Sequence, residues 1–151
     1  TTPRRFDDRR ACEEAVRAVE GVASAAMPEE SGGWLFVATA VREEPAFAAL
    51  CERVMFAADD RAAFVVFVGE AVDVASVDTA MFHWVANADV IRDCGVVGRA
   101  AWFDATPKTP GVRRGQPVRA WPPILALDPG SRARAQAVLE RAGVVLENAS
   151  D

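Results

Sequence analysis

The chain has 151 residues, enough for one domain with its own core and too few for two of ordinary size. Hydrophobic residues make up 51% and charged residues 26%, which excludes disordered, collagen-like and coiled-coil classes. Seventeen basic against twenty-two acidic residues leave a net charge of −5, so neither nucleic acid nor an anionic membrane surface is an expected partner.

Apolar periodicity predicts four helices. Cys12, Ala15, Val16 and Val19 form one helical stripe that ends near Gly21. Residues 21–26 then read as an edge strand, and the apolar run 34–41 as a strand buried on both faces. Glu43, Glu44 and Pro45 open a second helix carrying Phe47, Leu50, Cys51 and Val54 on its inner face. A second buried strand covers 63–68. Ser76 caps a third helix with Val77, Met81, Trp84, Val85 and the lone His83, for which a structural role is expected. Cys94 stands near a strand start as a small, half-buried residue, and a shorter strand covers 100–103. The last helix is capped by Asp128, opened by Pro129 and closed by Gly143, with Ala135, Val138, Leu139 and Ala142 facing inward. Alternating strands and helices predict a single α/β domain over 1–151, a three-layer, doubly wound, mostly parallel and Rossmann-like sheet.

One stretch breaks the alternation. Residues 105–127 hold no acidic residue, five of the nine prolines, and Lys108, Arg113, Arg114 and Arg119. A stiffened basic loop in an acidic protein, placed after a strand's carboxyl end, is where ligands and partners gather in open α/β sheets. Arg92, Asp104, Thr106, Lys108, Arg113 and Arg119 are therefore the candidates for anion binding or partner contact. The competing reading is a loop anchored by its own carboxylate: Asp104 accepts from loop amides, Thr106 pins the turn and Lys108 pairs with Asp104.

Familiar catalytic signatures are missing. There is no GxGxxG, no P-loop and no GxSxG elbow, and a Ser–His or Cys–His system would have to use His83. The three cysteines Cys12, Cys51 and Cys94 are odd in number, far apart and form no CxxC pair. That argues against zinc or a disulfide framework and for a reducing, cytoplasmic setting. No run reaches the length of a membrane span, and no signal peptide is recognisable.

Several motifs nonetheless resemble one family. "AVRAVEGVASAAMPEESGGWLFVATAV" (15–41), "FHWVANADVIRDC" (82–94), "FDATPKTPG" (103–111) and "RAWPP" (119–123) follow in order. They are similar to the C-terminal domain of the UbiD-type decarboxylases, which use prenylated FMN to add or remove carboxyl groups on aromatic and α,β-unsaturated acids. The last two motifs look closest to the naphthoate-decarboxylase branch of menaquinone synthesis. The resemblance implies an α/β domain without catalytic residues of its own, since the flavin-binding part and the catalytic glutamate–arginine–glutamate set lie N-terminal to it. It implies no cofactor in this chain, prenylated FMN in a flavin-bearing partner domain or subunit, and homo-oligomeric assembly. Glu52 stands where the family carries a basic residue on the helix over 45–58.

Three functions compete. The first is a non-catalytic C-terminal domain or accessory subunit of a UbiD-type carboxy-lyase, docking through the basic loop. The second is a stand-alone small-molecule binding or regulatory module that kept the fold without the chemistry, which the loss of a basic residue at Glu52 favours. The third is a small enzyme using Asp104, Lys108, Arg92 or His83 as acid and base.

Overall fold

A computed structural model describes residues 8–118 and 128–143. The chain divides into two compact units, Thr1–Arg119 and Ala120–Asp151. In chain order the first contains α1 (Arg9–Arg17), β1 (Ser24–Ala26), β2 (Trp34–Thr39), α2 (Ala46–Ala58), β3 (Phe64–Gly69), α3 (Val77–Asn87), β4 (Cys94–Val97), β5 (Ala100–Ala105), β6 (Gly111–Arg113) and β7 (Gln116–Val118). The second contains α4 (Pro129–Arg141).

The main sheet has the order β1-β2-β3-β5-β4. Its three central strands are parallel, and β1 and β4 join its two margins antiparallel. Strand periodicity sends successive side chains to opposite faces, and both faces here are apolar. Leu35, Val37, Val65 and Phe67 pack with Cys12 and Val16 of α1 and with Phe47, Leu50 and Val54 of α2. Phe36, Ala38, Val66 and Val68 pack on the other face with Ala80, Met81 and Trp84 of α3. The expected three layers follow from that double burial. The winding differs from the simple doubly wound pattern, in which helices change face where the strand order reverses. Here β2, β3 and β5 step across the sheet in one direction, yet α2 and α3 lie on opposite faces. The connection from β3 to β5 runs through α3 and then through β4 at the far margin.

The margins are treated differently. Arg17 of α1 donates to the Ala25 carbonyl (2.8 Å), and Glu13 accepts from the Met27 amide (2.7 Å), so α1 seals the outer side of β1. β4, which the periodicity did not assign as a strand, carries no further strand among the described residues. It returns into β5 through Gly98 and Arg99, with Gly98 at φ 60°, the left-handed first position of a tight hairpin. Across this hairpin Gly95 faces Trp102. A Cβ at Gly95 would lie 2.7–2.8 Å from the indole ring, so the ring's position depends on the absence of a side chain there.

The capping signals hold. Ser76 accepts from the Thr79 amide (3.3 Å), and Asp128 accepts from the Ser131 amide (2.9 Å). Two side-chain expectations do not. Val85 is 72% exposed, because the α3 stripe in contact with the sheet is the narrower set Val77, Ala80, Met81 and Trp84. In α4, among the described residues, none is buried and Val138 is 54% exposed, against the inward stripe expected there. The stretch 105–127 is also not loop throughout. Within it β6 and β7 pair as a hairpin around Arg114 (φ 48°) and Gly115 (φ 75°), both left-handed, as a two-residue turn of this hand requires.

Gly95→Ala is expected to displace Trp102 and to cost about 1–3 kcal/mol by overpacking. Denaturant unfolding together with near-ultraviolet dichroism of the tryptophans checks this; unchanged stability with an unchanged spectrum would contradict it.

Candidate functional site

The charged residues that the sequence marks out come together at the carboxyl end of β5. Asp104 faces the α2 side of the sheet and is fully buried. Its Oδ1 accepts from the Thr106 amide (3.1 Å) and hydroxyl (2.6 Å), and its Oδ2 accepts from Arg113 (2.6 Å). Lys108 turns back over the same loop. Its Nζ donates to the carbonyls of Asp104 (2.6 Å), Thr106 (3.1 Å) and Asn87 (3.0 Å) and stands 3.5 Å from Asp93. The loop is thus anchored by its own carboxylate and ammonium.

Asp93, which composition and spacing did not single out, forms the second buried carboxylate. Arg92 grips it with Nε on one oxygen (2.9 Å) and Nη2 on the other (2.6 Å), and the Asp89 amide adds a third donor. Arg92 also donates to the Pro117 carbonyl (2.8 Å), tying β7 to this cluster. From the hairpin, Arg113 reaches the Arg42 carbonyl after β2, and Arg114 pairs with Glu44 (2.5 Å). Both guanidiniums lie over Phe47 of α2, at 5.3 and 5.4 Å from the ring centre, and Arg114 also lies 5.1 Å from Trp102. Five of the six sequence candidates (Arg92, Asp104, Thr106, Lys108 and Arg113) therefore belong to one cluster. Arg119 lies outside the described residues.

The electrostatics follow from burial. Removal from water lowers the Lys108 pKa from its usual 10.5, against the opposing pull of Asp104 and Asp93. Burial alone would raise Asp93, but the Arg92 hydrogen bonds, the Asp89 amide and the Lys108 charge outweigh it and hold the carboxyl below the usual 3.8. Four cations (Arg92, Lys108, Arg113, Arg114) meet three carboxylates (Asp93, Asp104, Glu44) within this network. All but one of the donors named above are committed to carboxylates and carbonyls; the exception, Arg113 Nε, is a single buried nitrogen without an acceptor among the described residues. A flavin phosphate needs a cradle of available donors, so this set does not fit one. The arrangement is a latch that binds the 104–118 segment to the sheet.

Beside the latch, beyond the carboxyl ends of β2 and β3, lies a cleft of about 300 Å³ lined by Thr39, Arg42, Gly69, Glu70, His83 and Pro107. His83 Nδ1 is 3.5 Å from the Asn87 amide nitrogen at its edge. The cysteines take no part. Burial pushes the Cys51 thiol up to about 12 and raises that of Cys12, while the Cys94 thiol donates to the Val90 carbonyl (2.7 Å).

The molecule is a three-layer α/β domain with a charged latch at the end of β5, a fold class that hosts many unrelated functions. The family described as 3-octaprenyl-4-hydroxybenzoate carboxy-lyase C-terminal domain matches residues 3–118, and the chain belongs to that family. Vanillic acid decarboxylase of Sedimentibacter hydroxybenzoicus is similar in its closed form (TM-score 0.59, 13% identity, 87% of this chain and 31% of that one). Its open form with a truncated second component is also similar (TM-score 0.58, 14% identity, 87% and 32%). An evolved dimeric form of the UbiD-class enzyme HmfF from Pelotomaculum thermopropionicum, in complex with prFMN, matches at TM-score 0.53 and 14% identity, over 65% of this chain and 24% of that one. At these identities the likeness is one of fold. The chain spans a third or less of the length of these enzymes. No curated protein matches the sequence.

Breaking a buried charge pair by removing one partner costs about 3–5 kcal/mol, so Asp104→Ala is expected to lose that much stability in denaturant unfolding. The latch also fixes the pH dependence. Asp93, lowered in the fold, contributes fully above its unfolded value near 3.8, and that contribution fades as pH falls through the folded value. Lys108, also lowered in the fold, acts with the same sign on the alkaline side: stability rises as pH climbs from its folded value toward 10.5. Unfolding midpoints across pH for the parent and Lys108→Met check this, the alkaline rise being expected in the parent alone.

Proposed function

We propose that this chain is the non-catalytic C-terminal domain, or a separate accessory subunit, of a UbiD-type aromatic acid decarboxylase or carboxylase, and that it assembles with a flavin-bearing partner holding prenylated FMN. The observation that carries the reading is the family match over 3–118, joined to a length of a third or less of the similar decarboxylases. The latch supports it, because its charged groups serve the fold and leave no acid–base pair free for turnover. The hairpin it holds presents Val112, 78% exposed, on a segment fixed at both ends, and a rigid element loses little entropy on docking. The motifs at 103–111 and 119–123 favour the naphthoate branch of menaquinone synthesis, and the reduced cysteines favour the cytoplasm. Self-association belongs to the same reading, one similar structure being a dimeric form. Among the described residues no helix is long and apolar enough to cross a membrane.

The second reading, a small-molecule binding module, draws on the cleft between Arg42 and His83, whose position beyond parallel strand ends suits a ligand. A thermal shift with aromatic acids and phosphorylated ligands separates the two, since a ligand of the folded state raises its melting temperature.

Mixing the chain with the flavin-bearing part of a UbiD-type decarboxylase and measuring association by calorimetry tests the first reading. A complex is expected, with Val112→Asp weakening it about tenfold. A chain that stays apart from that partner would overturn the proposal.

A further inference from the structure

The outer face of α2 carries a feature that neither the latch nor the hairpin uses. Phe56 is 89% exposed, the highest exposure of any large apolar side chain among the described residues. It stands on the ridge between two grooves. One, of about 740 Å³, runs from Met55 and Phe56 past Asp59 and Asp60 to Val97 and Gly98 of the β4–β5 turn. The other, of about 670 Å³, runs from Phe56 past Glu52 and Arg53 to Val19 and Glu20 after α1. A bulky ring raised between two concavities is the form of an interface anchor rather than of a solvated helix face.

The charges around it have one sign in excess. Glu20, Glu52, Asp59 and Asp60 line the grooves, four carboxylates against the two guanidiniums of Arg53 and Arg61. The two arginines nearby are turned onto backbone. Arg53 donates to the Glu20 carbonyl (3.1 Å), and Arg61 donates to the carbonyls of Ala57 (2.6 Å) and Ala58 (3.3 Å) at the end of α2. These two cations thus serve backbone carbonyls, and the linings keep an excess of carboxylates. Asp59 is held at φ 52° and ψ −146°, a conformation that is rare outside glycine, and it follows directly on the helix whose outer face bears Phe56.

We infer that the outer face of α2 is a docking surface for a basic polypeptide segment, which seats a bulky apolar side chain beside Phe56 and sets arginines or lysines against Glu52, Asp59 and Asp60. Apolar contact supplies the affinity, and the acidic rim selects the sign of the partner. Its test uses the chain alone, so its outcome is read separately from association with a flavin-bearing domain.

The test is fluorescence anisotropy of a short fluorescein-labelled peptide carrying one tryptophan between arginines, titrated with the full chain. Saturable binding is expected, weakening with added salt. Phe56→Ser should weaken it at least about tenfold without altering the fold, since the ring is exposed. The pair Asp59→Asn and Asp60→Asn should weaken it too, asparagine keeping the shape of aspartate while removing its charge. Absence of binding, equal binding to Phe56→Ser, or equal binding of a peptide with glutamates in place of the arginines would overturn the inference. So would sedimentation showing a self-associated parent that Phe56→Ser returns to monomer, because the face would then join copies of this chain.

Discussion

Asp104 is fully buried at the end of β5 with one oxygen given to Thr106 and the other to Arg113. A carboxylate taken out of water costs several kcal/mol unless its lone pairs are filled, and every donor that fills them here comes from the chain that follows it. Lys108 and Asp93 repeat the arrangement beside it. The segment after β5, the turn before β4 and the β6–β7 hairpin therefore hold one another through charge. None of them can leave without stranding a buried ion. The apolar layers determine where the strands lie; this network determines what happens at their carboxyl ends.

That division bears on the role of the domain. In an open parallel sheet the carboxyl ends are the usual place for chemistry. In this chain the end of β5 is filled by side chains bound to each other, and a cleft remains beyond β2 and β3. The ionisable groups that looked reactive in isolation, Asp104 and Lys108 above all, are committed to shape.

The contacts that sequence reasoning found are those closed within a few residues. Asp104, Thr106 and Lys108 lie within one turn of chain, so their mutual bonding follows from the loop chemistry of an aspartate at a strand end. Continuous apolar runs marked β2 and β3 for the same local reason. The rest of the latch depends on separations no local rule spans: Arg114 meets Glu44, and Arg113 meets the Arg42 carbonyl, some seventy positions away. Asp93 was passed over because its partner Arg92 is its neighbour in sequence, where side chains usually diverge. The hairpin was hidden by its prolines. Its signal was Gly115 after Arg114, a weaker form of the asparagine–glycine turn, with Pro117 on a strand outside the main sheet. In α4 the stripe of Ala135, Val138 and Leu139 fits helical spacing, but periodicity cannot say whether a second surface meets it.

The sealing of β1 by Glu13 and Arg17 gives the sheet a direction. The Ala25 carbonyl and the Met27 amide just beyond the strand are taken by α1, so extension on that flank would first have to prise α1 away. The opposite flank ends in a four-residue strand with Val96 and Val97 turned partly to solvent. Growth by strand addition, whether in an ordered assembly or in aggregation of a weakened variant, is thereby confined to a single side.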